Sequence, residues 1–435
     1  MNRSKARIPH SKIAVVGGGI AGISAALLLS SAHEVTLFEA SDSLGGHAHA
    51  EKLVNENGDE FSIDTAFLIF NDRTYPCFMQ MLRHLGVEDC AIPAEMSSCF
   101  SDHLNGLHYS LGQGVYPVFK RPWDYLRPGI ARIALDFLRF RKKALNDLRK
   151  GHDLSNQSAR QYLSGFSNEF FESFVLPLTS AIWSLPTDKM EEFPILPLLR
   201  YFDNHRLLEG KSERRWKTFF GSSSVYVNAA KARLSGRYQL KARIQAVRRL
   251  KDGVALVSPS GTEVFDQVVI ATHADTALSL LESPNSTEAS LLGAWHYQDN
   301  PVTLHRDPSV LHADPVLWSS WNMTREKSRN YRVSYYLNRL QKLPSKRPVI
   351  LTLGNCESID PGAVYRRFNY RHPIFDSKAL ALQGALSSLN GLDRIYYTGS
   401  YFGNGFHEDA VHASMKVAQA FTLDWTTPVE LDQGV

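Results

Sequence analysis

Hydrophobic and polar positions along the chain fall into a short series of recognisable regimes. Ile13–Val16 is a brief uninterrupted apolar run, the pattern of a strand buried on both faces. Ile20–Ser31 recurs at helical spacing, and Val35–Phe38 is a second buried strand. Glu51–Asp64 reads as strand, turn at Asn55–Gly58 and strand, feeding an apolar segment, Thr65–Phe70, that ends in Asn71-Asp72-Arg73. Tyr75–Leu85 predicts a helix, and Met96–Leu111 alternates about Asn105-Gly106 as a hairpin does. Ser155–Asn204 predicts mostly helix, with Ser155 and Ser167 as caps and prolines 177, 186, 194 and 197 dividing it. Gly221–Ser224 opens a further helix.

Beyond it the period shortens. Tyr238–Ala274 reads as three strands with turns at Asp252-Gly253 and Ser260-Gly261, then the buried strand Val268–Thr272. Pro301–Leu353 is strand-rich and aromatic (Trp318, Trp321, Tyr331, Tyr335, Tyr336), the composition of a sheet walling an apolar pocket. Arg394–Tyr397 is a last strand, Thr398–His407 a glycine-punctuated turn, and Glu408–Leu423 a helix. A meander that returns to a buried parallel strand predicts an α/β fold with a Rossmann-like domain, a parallel sheet plus β-meander, interrupted by an inserted α+β substrate domain. The expected boundaries are 1–75, 220–285 and 390–425 for the discontinuous nucleotide domain, 76–219 and 286–389 for the substrate domain, and a tail at 426–435.

Composition narrows this picture. At 435 residues, 43% hydrophobic and 21% charged, the chain is globular and large enough for two domains. No apolar run is long enough to span a bilayer. Cys77, Cys90, Cys99 and Cys356 lack metal-ligand spacing, so no metal is expected, and a reducing cytoplasm is the default. Net charge is only +4, yet Lys120–Lys150 alone carries ten Lys/Arg against Asp124, Asp136 and Asp147. Ile130, Ile133, Ala134, Phe137, Leu138, Leu145 and Leu148 sit mostly at helical spacing within it, behind Trp123, Tyr125 and Leu126. A helix with a solvated charged face and an anionic membrane-surface patch both fit. Nucleic acid is not expected, because no binding-module pattern accompanies the charge.

The densest chemistry lies at Lys12–Gly46. Gly17, Gly19 and Gly22 supply G-x-G-x-x-G between strand and helix. The first glycine makes the turn, the second lets backbone approach a pyrophosphate, and the third allows close helix–strand packing. Ile20 and Ala21 open the helix whose N-terminus faces the phosphates. Glu39, at the end of the second strand, is placed to accept from a ribose 2′-OH. A signal peptide or membrane anchor over Ile13–Ala32 is the alternative, and the glycines and the following strand argue against it.

With these elements in order, the whole chain resembles the flavin-containing amine oxidase superfamily, which also holds protoporphyrinogen oxidases and carotenoid desaturases. The resemblance rests on the fingerprint, Leu44-Gly45-Gly46, the meander, Ala271-Thr272 and the terminal turn. There the amine oxidases carry Gly-Tyr-x-Glu-Gly-Ala-Val, and this chain has Gly405-Phe406-His407-Glu408-Asp409-Ala410-Val411. Residues 64–76 (DTAFLIFNDRTYP), 181–184 (AIWS), 271–275 (ATHAD) and 405–409 (GFHED) look like a bacterial branch of predicted NAD/FAD-binding proteins. That branch is similar to the N-terminal oxidase-like domain of plant cyclopropane fatty acid synthases. The resemblance implies an amine-oxidase-like fold and FAD as cofactor. Gly17, Gly19, Gly22 and Glu39 would hold its ADP half, and Ile244 backbone would meet adenine. Gly45, Gly46 and His47 match a Gly-Gly-Arg segment near the pyrophosphate, with histidine replacing arginine. Gly399 and Ser400 would contact the ribityl–phosphate region, and Ala410 at a helix N-terminus would face the flavin pyrimidine.

The departures bear on the chemistry. Phe406 stands where amine oxidases place a tyrosine of their aromatic cage, Asp409 and Ala66 replace glycines, and no residue matches the lysine that reaches flavin N5 through a water. A flavin accepts a hydride at N5 from a C–H bond held against it. His407 is the candidate base, with Glu408 as its orienting partner; their plainer roles are a backbone hydrogen bond and a helix cap. Phe67, Trp183, Trp321, Tyr336 and Phe406 are the candidate pocket residues. Three functions follow: an FAD-dependent oxidoreductase on a lipid or fatty-acyl substrate of cyclopropane or unsaturated phospholipid type, which is favoured; an oxidase of a soluble amine; and a non-catalytic FAD-holding partner of a lipid-modifying enzyme such as a methyltransferase. The expected location is cytoplasmic, peripheral at the inner face of the membrane.

Overall fold

The computed structural model describes residues 10–113, 116–154, 157–183, 191–204, 208, 216–325, 331–354 and 356–427. Five strands far apart in sequence form one parallel sheet. Its order is Tyr238–Gln239, Glu34–Phe38, Lys12–Val16, Gln267–Ile270, Ile395–Tyr397. The chain starts in the middle, works outward to one edge and returns on the other side. The switch point therefore lies between Lys12–Val16 and Gln267–Ile270, and in such sheets a ligand crevice opens past the carboxyl ends there. The register brings those ends level, with Val16 beside both Phe38 and Ile270, and Ile270 beside Tyr397. Ile13–Val16, Val268–Ile270 and Ile395–Tyr397 are buried throughout, because both faces of the sheet are covered.

One cover is the fingerprint helix, Ile20–Leu29, in which every residue is buried. A Cβ at Gly22 would come within 1.8 Å of the Gly17 carbonyl oxygen, so only glycine lets the helix sit this close to its own strand. The closing helix, His407–Ala420, packs against it, and the Ser414 hydroxyl reaches across to the Ala21 carbonyl (2.8 Å). The expected meander is present as Ala246–Arg249, Val254–Ser258 and Gly261–Phe265, antiparallel throughout.

A second, seven-stranded sheet runs Val364–Ile374, His296–His305, Ile350–Leu353, Arg332–Tyr336, Trp321–Arg325, Ser98–Asp102, Leu107–Leu111. All its pairings are antiparallel except that between Trp321–Arg325 and Ser98–Asp102. The described helices between residues 116 and 204 cover it, tied by the Tyr109 hydroxyl to the Ser173 carbonyl (2.9 Å) and the Tyr335 hydroxyl to the Ala181 carbonyl (3.0 Å). Ser167 caps the turn that follows it, accepting from the Phe170 N–H (3.2 Å). Ser155 and Pro186 lie outside the described residues. Pro177 does not divide the block as expected. A wide π turn at Phe171–Val175 passes directly into Leu176–Trp183, and the Ser173 carbonyl, four residues before Pro177 and without an N–H from it, accepts the Tyr109 hydroxyl.

Candidate functional site

The carboxyl ends of the parallel strands deliver one wall of a cavity of about 630 Å³. Gly17–Ala21 follow the first strand, Glu39 the second, Ala271–His273 the fourth and Gly399–Tyr401 the fifth. Gly17 has φ +109°, and its turn is fixed by its N–H to the Phe38 carbonyl (2.8 Å). Glu39 holds this loop from the side, accepting from the N–H groups of Gly18 (2.6 Å) and Ser41 (2.7 Å). Each carboxylate oxygen keeps a further lone pair for a ribose hydroxyl. The fingerprint helix has no side-chain cap and no acid in its first turn. Its leading N–H groups and positive dipole end are left for a phosphate. A Cβ at Gly19 would meet no protein atom within 4 Å, so that glycine borders open space, as close approach of a pyrophosphate requires.

Gly22 and Gly45 support this wall rather than line it. Gly45, at φ +129°, donates to the Gly18 carbonyl (2.8 Å) and sets Gly46 and His47 at the cavity. Ile244 is buried near Glu39, whose carbonyl accepts from the Ala242 N–H (2.8 Å), and is not part of the wall. The opposite wall comes from the loop Ala66–Ile69, from Ala181 and Ile182, from Tyr201, and from the second sheet through Trp321, Tyr335 and Tyr370–Pro373.

Among the expected pocket residues, Phe67, Trp321 and Phe406 line the cavity, and Trp183 has a side chain outside the described set. Tyr336 does not line it. Successive strand residues face opposite ways, so Tyr335 meets Trp321 across the strands (rings 5.1 Å apart, 89°) at the cavity. Tyr336 turns to Trp318 in a separate small core with Val310, Leu311 and Ile350.

The two titratable candidates separate. His407 opens the closing helix with Ala410 one turn on, and both border the cavity. Its ring lies flat on Phe67, with centroids 3.6 Å apart and planes at 9°. Burial pushes its pKa down to about 3, and Nε2 has no hydrogen-bond partner among the described residues. A base that weak is poorly matched to proton abstraction near neutral pH. Glu408 points the other way. Its carboxylate accepts from the Cys77 (3.0 Å) and Phe78 (2.9 Å) N–H groups and caps the helix Pro76–Leu85, whose own N-cap, Tyr75, has no side-chain bond. It therefore does not orient His407: adjacent helical positions diverge by about 100°.

Beside His407, the expected His47 is joined by two histidines outside the expected site residues, His273 and His372. The ring of His47 is 5.2 Å from His372 and 6.0 Å from His273. Burial, then the neighbouring histidines, hold His47 well below the usual histidine range; burial brings His372 to about 4 and also lowers His273. The Asn300 amide contacts His372 Nδ1 at 2.9 Å. With the amide donating, the proton sits on Nε2. Arg371 is tied to Asp275 at 2.8 Å. Apart from Glu39, no carboxylate borders the cavity among the described residues. The motif at residues 271–275 held one signal for this group in His273; Tyr370 and His372 carried none, because they come from a strand with no chemical motif.

The glycine turn, the uncapped helix and the ribose-facing carboxylate form a dinucleotide cradle continuous with an aromatic chamber. A family described as "Flavin containing amine oxidoreductase" matches residues 20–300, well over half of the chain. The chain belongs to this family. FAD is accordingly its cofactor, and the cradle fits the ADP half on geometry alone. "Amine oxidase [flavin-containing] A" of Sus scrofa is 30% identical over 115 residues, which is 26% of this chain and 20% of that protein. Among solved structures, cyclohexylamine oxidase from Brevibacterium oxydans IH-35A superposes with TM-score 0.68 at 16% identity, covering 95% of this chain and 99% of that one. The CLA-producing fatty acid isomerase from P. acnes superposes with TM-score 0.63 at 15% identity, covering 93% and 97%. At these identities the structural likeness establishes the fold and leaves the substrate open.

Proposed function

We propose that the protein is an FAD-dependent oxidoreductase acting at a C–H bond of a lipid or fatty-acyl chain. The observation that carries this is the chemistry of the chamber beyond the nucleotide cradle. Phe67, Leu68, Ile69, Ile182, Trp321 and Tyr335 face it, and among the described residues no carboxylate there would draw in an ammonium group. The burial that keeps its histidines neutral also disfavours a charged substrate and suits an uncharged chain. Bound FAD supplies a two-electron acceptor that takes a hydride at N5. The cradle residues, Gly17–Ala21 and Glu39, bind and orient the cofactor, and the aromatic wall holds the acyl chain and excludes water. His407, neutral and stacked on Phe67, serves as a flat apolar surface. The likeness to a fatty acid isomerase is consistent with an acyl substrate; the likeness to cyclohexylamine oxidase favours the alternative, a soluble amine.

The test is an anaerobic titration of the FAD-loaded protein, following the oxidised flavin band. One cell receives phospholipid vesicles with unsaturated or cyclopropane acyl chains, the other a panel of primary and cyclic amines. Bleaching with the lipid and none with the amines is the expected result. Bleaching by an amine alone overturns the acyl assignment.

A further inference from the structure

The cations of Lys120–Lys150 occupy a surface with a definite pattern. The long helix Pro128–Lys150 buries Ile133, Asp136, Phe140, Ala144 and Asp147. Both of its acids are thus turned inward. Asp136 accepts from the Ser167 N–H (2.8 Å) and Asp147 from the Tyr162 hydroxyl (2.8 Å). Asp124, on the preceding short helix Pro122–Tyr125, is buried against Arg121. Eight of the ten cations, by contrast, are exposed. All three carboxylates are buried, though each still pairs with a cation: Asp124 with Arg121, Asp136 with Arg139 and Asp147 with Lys143.

That face is also apolar. Ala131, Leu135, Leu138 and Lys142 recur at four-, three- and four-residue steps on the side opposite the buried stripe. Leu135 is 63% exposed and Leu138 56%. Just before the helix, Trp123 and Leu126 are 80% and 71% exposed. These four are among the most exposed large apolar side chains of the described residues, and they lie within sixteen positions. Arg132 and Arg139 flank the leucines, and Lys142, Arg149 and Lys150 form no ion pair among the described residues. A lone exposed leucine on a water-facing helix is ordinary, but four large apolar side chains gathered within sixteen positions among cations are not. A helix lying in the headgroup layer needs them there, with arginine and lysine stems reaching up to the phosphates.

We propose that Trp123, Leu126 and the Leu135/Leu138 face of the long helix form a docking surface for an anionic phospholipid bilayer. The occupant is fixed by charge complementarity together with the apolar stripe: nucleic acid would use the cations and leave the leucines in water. At roughly 34 Å the helix lies along the surface, and no described helix is long and apolar enough to cross a membrane. It is one layer from the chamber. Phe140 packs on Phe202 (rings 5.7 Å apart), and Tyr201, the neighbour of Phe202, borders the cavity. The surface stands independently of the acyl substrate, since an amine oxidase could rest on a membrane by the same face.

The experiment is co-sedimentation of the FAD-loaded full chain with vesicles of phosphatidylglycerol and phosphatidylcholine, and of phosphatidylcholine alone, at low and high salt. Binding to the anionic vesicles that weakens with salt is expected. Lys142→Glu/Arg149→Glu should lower partition by about fivefold or more per site, and Leu135→Gln/Leu138→Gln by roughly tenfold for the pair. Brominated acyl chains should quench the wild-type emission more than that of Trp123→Phe, which keeps an apolar ring and reports insertion directly. Flavin content and thermal midpoint, unchanged in every variant, show that the fold is intact. The proposal is overturned if the wild type ignores anionic vesicles, or if charge substitutions weaken binding while the leucine and Trp123 variants behave as wild type. Equal retention of a synthetic RNA duplex by wild type and the leucine variant, without vesicle binding, assigns the face to nucleic acid instead.

Discussion

At the scale of the residue, His407 shows how burial decides chemistry. In the unfolded chain its imidazole titrates near 6.5; in the fold, burial lowers this to about 3. As pH falls below 6.5 the unfolded chain takes up a proton that the native ring refuses, so stability is lost toward acid. For this one residue the loss between pH 7 and 4.5 is about 2–3 kcal/mol. His407→Phe preserves the stack on Phe67 and removes that term. Its thermal midpoint is expected to fall less steeply between pH 7 and 4.5, though not to become flat, because His47 and His372 titrate in the same sense. An unchanged slope would mean that the ring is protonated or solvated in the native state. The sequence placed His407 at the junction of a turn and a helix, because both patterns are local. It gave no sign of the ring's isolation, which arises from Phe67 and Phe78, more than three hundred residues away along the chain.

Elements explain which other residues were legible. The nucleotide cradle was readable because Gly17, Gly19, Gly22 and Glu39 are held within one strand–helix–strand unit, where spacing alone dictates position. Tyr335 and Tyr336 were not distinguishable: alternation assigns them to opposite faces, and only the pairing of Trp321 with Tyr335 shows which face meets the chamber. Glu408 is the complementary case, a chemical neighbour of His407 in sequence and a structural partner of a different helix. Glu408→Gln leaves one acceptor for two N–H groups and discards a charge at a helix N-terminus. It should destabilise the protein by about 1–2 kcal/mol in denaturant unfolding. The rate of flavin bleaching by substrate should stay within a factor of two. A large fall in that rate with stability intact would return Glu408 to the chemistry.

For the whole molecule, the cavity is the place where remote segments meet. The cradle collects Gly17–Ala21, Glu39, His47, Ala271–His273 and Gly399–Tyr401, and the aromatic chamber adds strands of the second sheet. Ligand that binds only the folded state stabilises it in proportion to its occupancy, by about 2.7 kcal/mol when present at a hundred times its dissociation constant. Stripping FAD should therefore lower the unfolding midpoint seen by tryptophans of the second sheet, such as Trp321, as well as that of the parallel sheet. Separate transitions, with only one moved by FAD, would contradict a shared cavity. The order of the parallel strands has a temporal side. Lys12–Val16 leaves the ribosome first, yet its partner Gln267–Ile270 follows some 250 residues later and the edge strand Ile395–Tyr397 later still. From Lys12–Val16 to Ile395–Tyr397, some 380 residues, ordinary translation takes roughly 20–80 s. Throughout that interval the emerging fingerprint has no site to offer, and its apolar strand and helix must be sheltered by other means. Cofactor capture has to wait for the last of these strands, and a nascent chain halted before Arg394 should remain colourless however much FAD surrounds it.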